Sequence, residues 1–214
     1  MATFQDYLAE IEKPIRESLT KVVFLRADET PLFEVTNEIS TDGSLNIQNK
    51  NGVRRSVGFG IDNFTQQYYP ELDSPIWIGK KFKLYMGYRI NGEDFYLPQG
   101  VFVMDDPTVE SETDTVQISA VDKFGLLDGS LGGELDSIFI INAGVTVNTA
   151  VRSVMLLSND TRPIIIDSTV ASQTLPYQII KGTGDTLGSI LEELALAFSC
   201  NVYYNEDGSL VFVS

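Results

Sequence analysis

The residues with chemical potential in this chain are few, and their spacing argues against most of what they might do. Asp105-Asp106 is a pair of adjacent carboxylates, the residue type that binds a divalent cation or shares a proton. Neighbours on a strand point to opposite faces, and Pro107 follows, so the pair reads as a solvated entry to a turn. Asn205-Glu206-Asp207-Gly208-Ser209 is oxygen-rich like a calcium loop but lacks the alternating ligands and the distal Glu, and it reads as a hairpin turn. Gly182-Thr183-Gly184-Asp185-Thr186 precedes a helical pattern, where a helix N-terminus can hold phosphate. It has no GxGxxG and no P-loop lysine, and the acid would repel the anion. The chain has 0 histidines, which removes imidazole triads and the usual zinc sites. The serines have no GxSxG and no base to activate them. Cys200 is the single cysteine, set among apolar residues, so it forms no intrachain disulfide and reads as a core residue. The expectation is a non-enzyme with no catalytic residue, cofactor or metal.

Binding residues are hardly more plentiful. Arg54-Arg55 and Lys80-Lys81 are the paired cations. They serve either to protect an exposed edge strand or to contact an acidic neighbouring subunit. Arg54, Arg55, Lys80 and Lys81 are therefore the candidate subunit contacts. Tyr68, Tyr69 and Trp77 are the clustered aromatics and would be the platform of an alternative function, recognition of a host receptor or a cell-wall glycan.

These residues must be held by a chain that reads as mainly β. Phe82, Leu84, Met86, Tyr88 and Ile90 alternate along Lys81–Ile90, the signature of a half-buried strand. Asn91-Gly92 supplies the positive-φ pair of a tight hairpin. The return runs from Phe95 to Met104, an acidic loop covers Glu110–Asp114, and Val116–Val121 completes a meander. Before it, Lys21–Leu25 and Leu32–Val35 read as strands, and Asn51-Gly52 marks a further hairpin. Residues 63–79 form a proline- and aromatic-pinned loop.

Phe4, Tyr7, Leu8, Ile11, Ile15 and Leu19 make a helical stripe that Pro14 ends or kinks. This arm is either a packing element or a contact to a neighbouring subunit. After a glycine-rich run at 125–133 the texture changes. Helical spacing over Thr146–Ser158, a short Ile164–Ile166 strand, a strand near Tyr177–Ile180, a helix capped by Asp185 and a last hairpin make a small α+β unit. The fold class is thus α+β, mainly β. Its parts are an arm (1–20), an antiparallel β domain (21–130) and an α+β domain (131–214). The sequence stops in mid-strand at LVFVS, which suggests a longer natural protein.

Thirty acids against fifteen Lys and Arg give a net charge of −15, spread along the chain. Such a surface repels nucleic acid and anionic membranes. No segment has a signal-peptide pattern or the length of a membrane span.

From residue 39 onward the chain resembles the N-terminal region of tail-tip baseplate hub proteins (tail-associated proteins or lysins) of long-tailed phages and prophages. The likeness rests on SLNIQNKNGVRRSVGFGI (44–61), on FKLYMGYRINGEDFYLPQGVFVMDDP with VQISAVDKFGLL, and on DTLGSILEELALAFSCNVYYNEDGSLVF (185–212). These include a Pro-x-Gly-x-Phe return strand and a Tyr-x-Asn/Asp-x-x-Gly turn. The resemblance implies that the β domain is a tube-like split barrel in a ring, a homotrimer, at the distal end of the tail tube. The implied partners are the distal tail or tube protein and receptor-binding or fibre proteins, and the implied location is the virion tail. Any peptidoglycan-cutting activity would belong to domains beyond this sequence. The acidic surface would then suit a lumen that passes DNA without binding it.

Overall fold

The computed structural model describes residues 2–40, 43–64, 68–110 and 114–214. It divides into two compact units, Met1–Leu45 with Val57–Ala120, and Asn46–Ser56 with Val121–Ser214. The N-terminal arm therefore belongs to the first unit. The division falls at Ala120/Val121 rather than in the glycine-rich run, and the Asn51-Gly52 turn counts with the second unit.

The first unit is built on β1 (Ser18–Leu25), β2 (Pro31–Val35), β3 (Ser44–Ile47), β4 (Arg55–Asp62), β5 (Lys81–Ile90), β6 (Glu93–Glu110) and β7 (Thr115–Asp122), of which residues 46–47, 55–56 and 121–122 count with the second unit. They form one sheet in the order β2-β1-β5-β6-β7-β4-β3, antiparallel and not closed into a barrel. An isolated bridge from Ile39 to Ile61 brings the chain after β2 toward β4, at the opposite margin. Asn91 and Gly92 take φ of 53° and 82°, the two left-handed positions that a tight hairpin of right-twisted strands requires.

The β5–β6 ladder slips between Leu84 and Tyr85, so that Leu84 faces Gly100, Tyr85 faces Pro98 and Gln99 is extra. This bulge explains the Pro-x-Gly-x-Phe pattern. Proline is tolerated in a sheet where a ladder N–H is not needed, and Gly100 adopts a φ of 153° closed to most side chains. Gly87 is fixed by a close approach, since a Cβ there would lie 1.8 Å from the carbonyl oxygen of Phe95. β6 runs on through Asp105-Asp106-Pro107 to Glu110, so the two acids are exposed positions within a strand and not a turn entry. Of the acidic loop expected at Glu110–Asp114, residues 111–113 lie outside the described residues.

Alternation on β1, β5, β6 and β7 buries Phe24, Phe82, Leu84, Phe102, Met104, Val116 and Ile118 in one core, with Phe59 and Ile61 from β4. Phe82 is its hub, stacked with Phe102 at 5.6 Å and edge-on to Phe59 at 5.5 Å. Helix α1 (Phe4–Ile11) starts in a Thr3/Asp6 capping box and ends before Pro14, as the ring of that proline demands. It packs within its own unit, with Tyr7 against Tyr88 and Phe95.

The second unit holds a 3-10 turn (Lys123–Leu126), β8 (Phe139–Ile141), α2 (Val147–Leu157), β9 (Ile164–Ile166), α3 (Ser168–Ala171), β10 (Ile179–Lys181), α4 (Leu187–Ala197), β11 (Asn201–Tyr204) and β12 (Leu210–Val213). It contains a duplication at an offset of 40 residues. Leu135, Ile140, Gly144, Thr146 and Leu156 recur as Leu175, Ile180, Gly184, Thr186 and Leu196. The pairing is reciprocal. Ile140 faces Ile180 in the β8–β10 ribbon, and Glu134 bridges Thr186 as Thr174 bridges Thr146. Leu135 N–H donates to Asp185 and Leu175 N–H to Val145, both at 2.9 Å or less. Two strand–helix halves are thus related by a pseudo-twofold axis at the Ile140–Ile180 pair. Their α2 and α4 pack Ala150, Val151 and Val154 with Ile190, Leu191 and Leu194 into the second core. The cap of α4 is Thr186, not Asp185, which instead accepts from the N–H of Gly182.

Candidate interaction surfaces and the charged node of the second unit

The predicted contact cations are largely used inside the chain. Asp122 at the end of β7 is 1 % exposed. Its Oδ2 accepts the backbone N–H groups of Arg54 and Arg55 at 2.8 and 2.9 Å, and its Oδ1 that of Phe124 at 3.0 Å. Burial pushes its carboxyl above the usual aspartate range, against those three donors. Arg54 stacks its guanidinium 3.5 Å above the ring of Tyr203 and bonds the carbonyl of Lys50. Arg55 donates to the carbonyl of Tyr204 at 2.6 Å and approaches Glu206 at 3.8 Å. Adjacent strand residues point to opposite faces, yet here both cations find aromatic or carbonyl partners on the β11–β12 hairpin.

Beside this node Lys123 is buried. Its Nζ pairs with Asp160 at 2.8 Å, donates to the carbonyl of Gly208 at 3.0 Å and lies 5.0 Å from the centre of the Tyr204 ring. The Tyr204 hydroxyl donates to Asp160 at 2.7 Å. A buried ion pair of this kind fixes geometry more than it adds stability. Sequence reasoning passed over it, although two adjacent charges inside the apolar run ISAVDKFGLL were the available signal.

In the first unit Lys81 pairs with the buried Glu29 at 2.7 Å. Lys80 is exposed. Of the four cations, only Lys80 is thus left with its charge in solvent among the described residues. The aromatic cluster does not make a platform. Tyr68 is buried, stacked on Phe33, and its N–H donates to Asn63 at 2.8 Å. Trp77 is half-buried and Tyr69 exposed. Among its described residues the loop exposes the apolar Phe64, Leu72 and Ile78 beside the acids Glu71 and Asp73. The second unit likewise exposes Leu156 and Leu196, equivalent under the duplication and 79 % and 80 % accessible. Among the described residues, no group of three or more acidic or cysteine side chains is placed to hold a metal, and no helix is long and apolar enough to cross a membrane.

The fold itself is shared with proteins of phage-type tails. A tail protein from Neisseria meningitidis superposes with a TM-score of 0.63 at 14% identity, over 92% of this chain and 50% of that one. The 43 kDa tail protein of prophage MuSo2 from Shewanella oneidensis gives 0.60 at 14% identity, over 93% of this chain and 56% of that one. A chain of the half-lidded Francisella PdpA–VgrG complex gives 0.53 at 8% identity, covering 96% of this chain and 33% of its own length. This chain spans about half the length of the two tail proteins. No protein-family model matches it, and no curated protein matches it in sequence.

Proposed function

We propose that this chain is a structural, non-catalytic subunit of a bacteriophage or prophage tail tip, at the baseplate hub, in a ring at the distal end of the tail tube. The observation that carries this reading is the match of both units, over nine-tenths of the chain, to the tail proteins of Neisseria meningitidis and prophage MuSo2. The residue chemistry supports it. The buried Asp122 and Lys123, with Asp160 paired to Lys123, are consumed in joining strands and turns. Its role is to present surfaces to the distal tail or tube protein and to fibre or receptor-binding proteins, with three copies in the ring. It acts in the virion tail after synthesis in the host cytoplasm. A net charge of −15 would keep DNA from adhering to a lumen it lines.

The test is genetic and structural. Deleting the coding region from the phage or prophage should leave tails without a complete tip, restored by the chain supplied in trans. Cryo-electron microscopy of restored particles should place the chain as a ring at the distal tube end. Normal tails assembled without it, or a location on the sheath or capsid, would refute the reading.

A further inference from the structure

Among the described residues, the sheet of the first unit leaves one stretch of β1 with a strand partner on one side alone. β5 accompanies β1 from Ser18 to Phe24, but β2 joins it only from Val22, opposite Val35. The Arg89 N–H donates to the carbonyl of Glu17 at 3.1 Å, and the Arg26 N–H to that of Thr30 at 2.9 Å. These bonds set the phase of the antiparallel ladder. Leu19 and Lys21 turn their backbone groups toward β5, and Ser18 and Thr20 turn theirs to the side that β2 has left. Opposite stands β3, the last strand of the sheet, whose outer edge has no strand neighbour among the described residues. A cavity of about 720 Å³ lies between them, lined by Ser18–Lys21, by Ser44 and Leu45, and by the apolar side chains of Phe59, Leu84 and Met86.

We propose that this seam receives an extended segment of a second protein, which adds a strand between β1 and β3. The proposal stands apart from the tail-tip reading. Backbone donors and acceptors along an edge select another backbone, not a small molecule or a sugar. β3 has 4 residues, so the added strand is about four residues long, or roughly 13 Å at 3.3 Å per residue. Its inward positions are apolar, to meet Leu84 and the 40 % exposed Met86. The charges that line the cavity balance, with Lys21 4.0 Å from Glu34 and Arg89 2.8 Å from Asp94. The chain as a whole carries a net charge of −15, and that field selects a segment flanked by basic residues. A second copy of this chain would bring the same net charge.

The probe is a short synthetic peptide of alternating valine and threonine with a lysine at each end, added to the intact chain. Isothermal titration should show saturable binding. Hydrogen exchange should slow at Ser18 and Thr20 and stay unchanged at Val22 and Phe24. Methylating alternate backbone nitrogens of the peptide should abolish binding, a comparison that needs no protein variant. Thr20→Pro removes an N–H that the sheet does not use, and should weaken binding about tenfold while leaving the circular dichroism unchanged. No binding at millimolar peptide, protection elsewhere, or equal binding of the methylated peptide would overturn the proposal. So would self-association of the chain alone that protects Ser18 and Thr20, which would assign the seam to a second copy.

Discussion

Asp122 shows how one side chain can set the course of several. Its two oxygens take three backbone N–H groups that no strand pairing would satisfy, at the point where the chain leaves β7. Asp122→Asn keeps the shape but replaces one acceptor by a donor facing an N–H. It should lower the unfolding free energy by about 1–3 kcal/mol in urea titrations. Because burial raises the native carboxyl above its unfolded value, the folded state holds the proton to higher pH. The contribution of Asp122 is therefore largest below the unfolded value and declines as pH rises through the native one. The gap between wild type and Asp122→Asn should accordingly narrow as pH rises above the ordinary aspartate range. Asp6, Asp28 and Asp167 act in the opposite sense, since hydrogen bonds from Thr3, Thr30 and Thr169 lower their carboxyls and that stabilisation fades as pH falls. Lys123→Met should cost about 3–5 kcal/mol because it strands Asp160 without its ion partner, and adding Asp160→Asn should recover part of the loss.

At the scale of elements, the duplication makes paired predictions. Thr146 and Thr186 cap α2 and α4 in the same way, each accepting an N–H three residues on. Thr146→Ala and Thr186→Ala should each cost about 1 kcal/mol in thermal or urea unfolding. The halves differ at the second helical residue, Asn148 in α2 and Gly188 in α4. A Cβ on Gly188 would come within 2.9 Å of the Phe124 ring and 3.0 Å of the Leu127 carbonyl oxygen. Glycine to alanine inside a helix ordinarily gains up to about 1 kcal/mol, yet Gly188→Ala should destabilise by about 1–3 kcal/mol. A stabilised variant would show that the turn after Lys123 yields easily.

For the whole molecule the decisive quantity is charge. Thirty acids against fifteen cations make self-repulsion a standing cost of the compact state. Raising NaCl from about 0.1 M to 1 M shortens the screening length from about 10 Å to about 3 Å. The melting temperature of the isolated chain should rise over that range, and a constant or falling value would show that internal ion pairs dominate instead. Arg54 and Arg55 anchor the β11–β12 hairpin, so they are poor candidates for a subunit contact, whereas the exposed Lys80 still qualifies.

The sequence by itself determined the elements whose signals are local. Period-two alternation fixed β5, the Asn91-Gly92 pair fixed its hairpin, Pro14 limited α1, and the 0 histidines removed whole classes of chemistry. The duplication was also legible between 134–157 and 174–197, as five identities at one offset, but weakly, because the other equivalent positions share hydrophobic character at best. Tertiary structure decided the rest. β6 continues through Asp105-Asp106-Pro107, which read locally as its end. Tyr68 turned inward, and Arg54 and Arg55 were drawn onto a hairpin about 150 residues away in the chain. Whether a charge faces a partner protein or its own fold depends on which strands become neighbours. That is settled by non-local pairing and the burial it permits, and neither is encoded in the spacing of nearby residues.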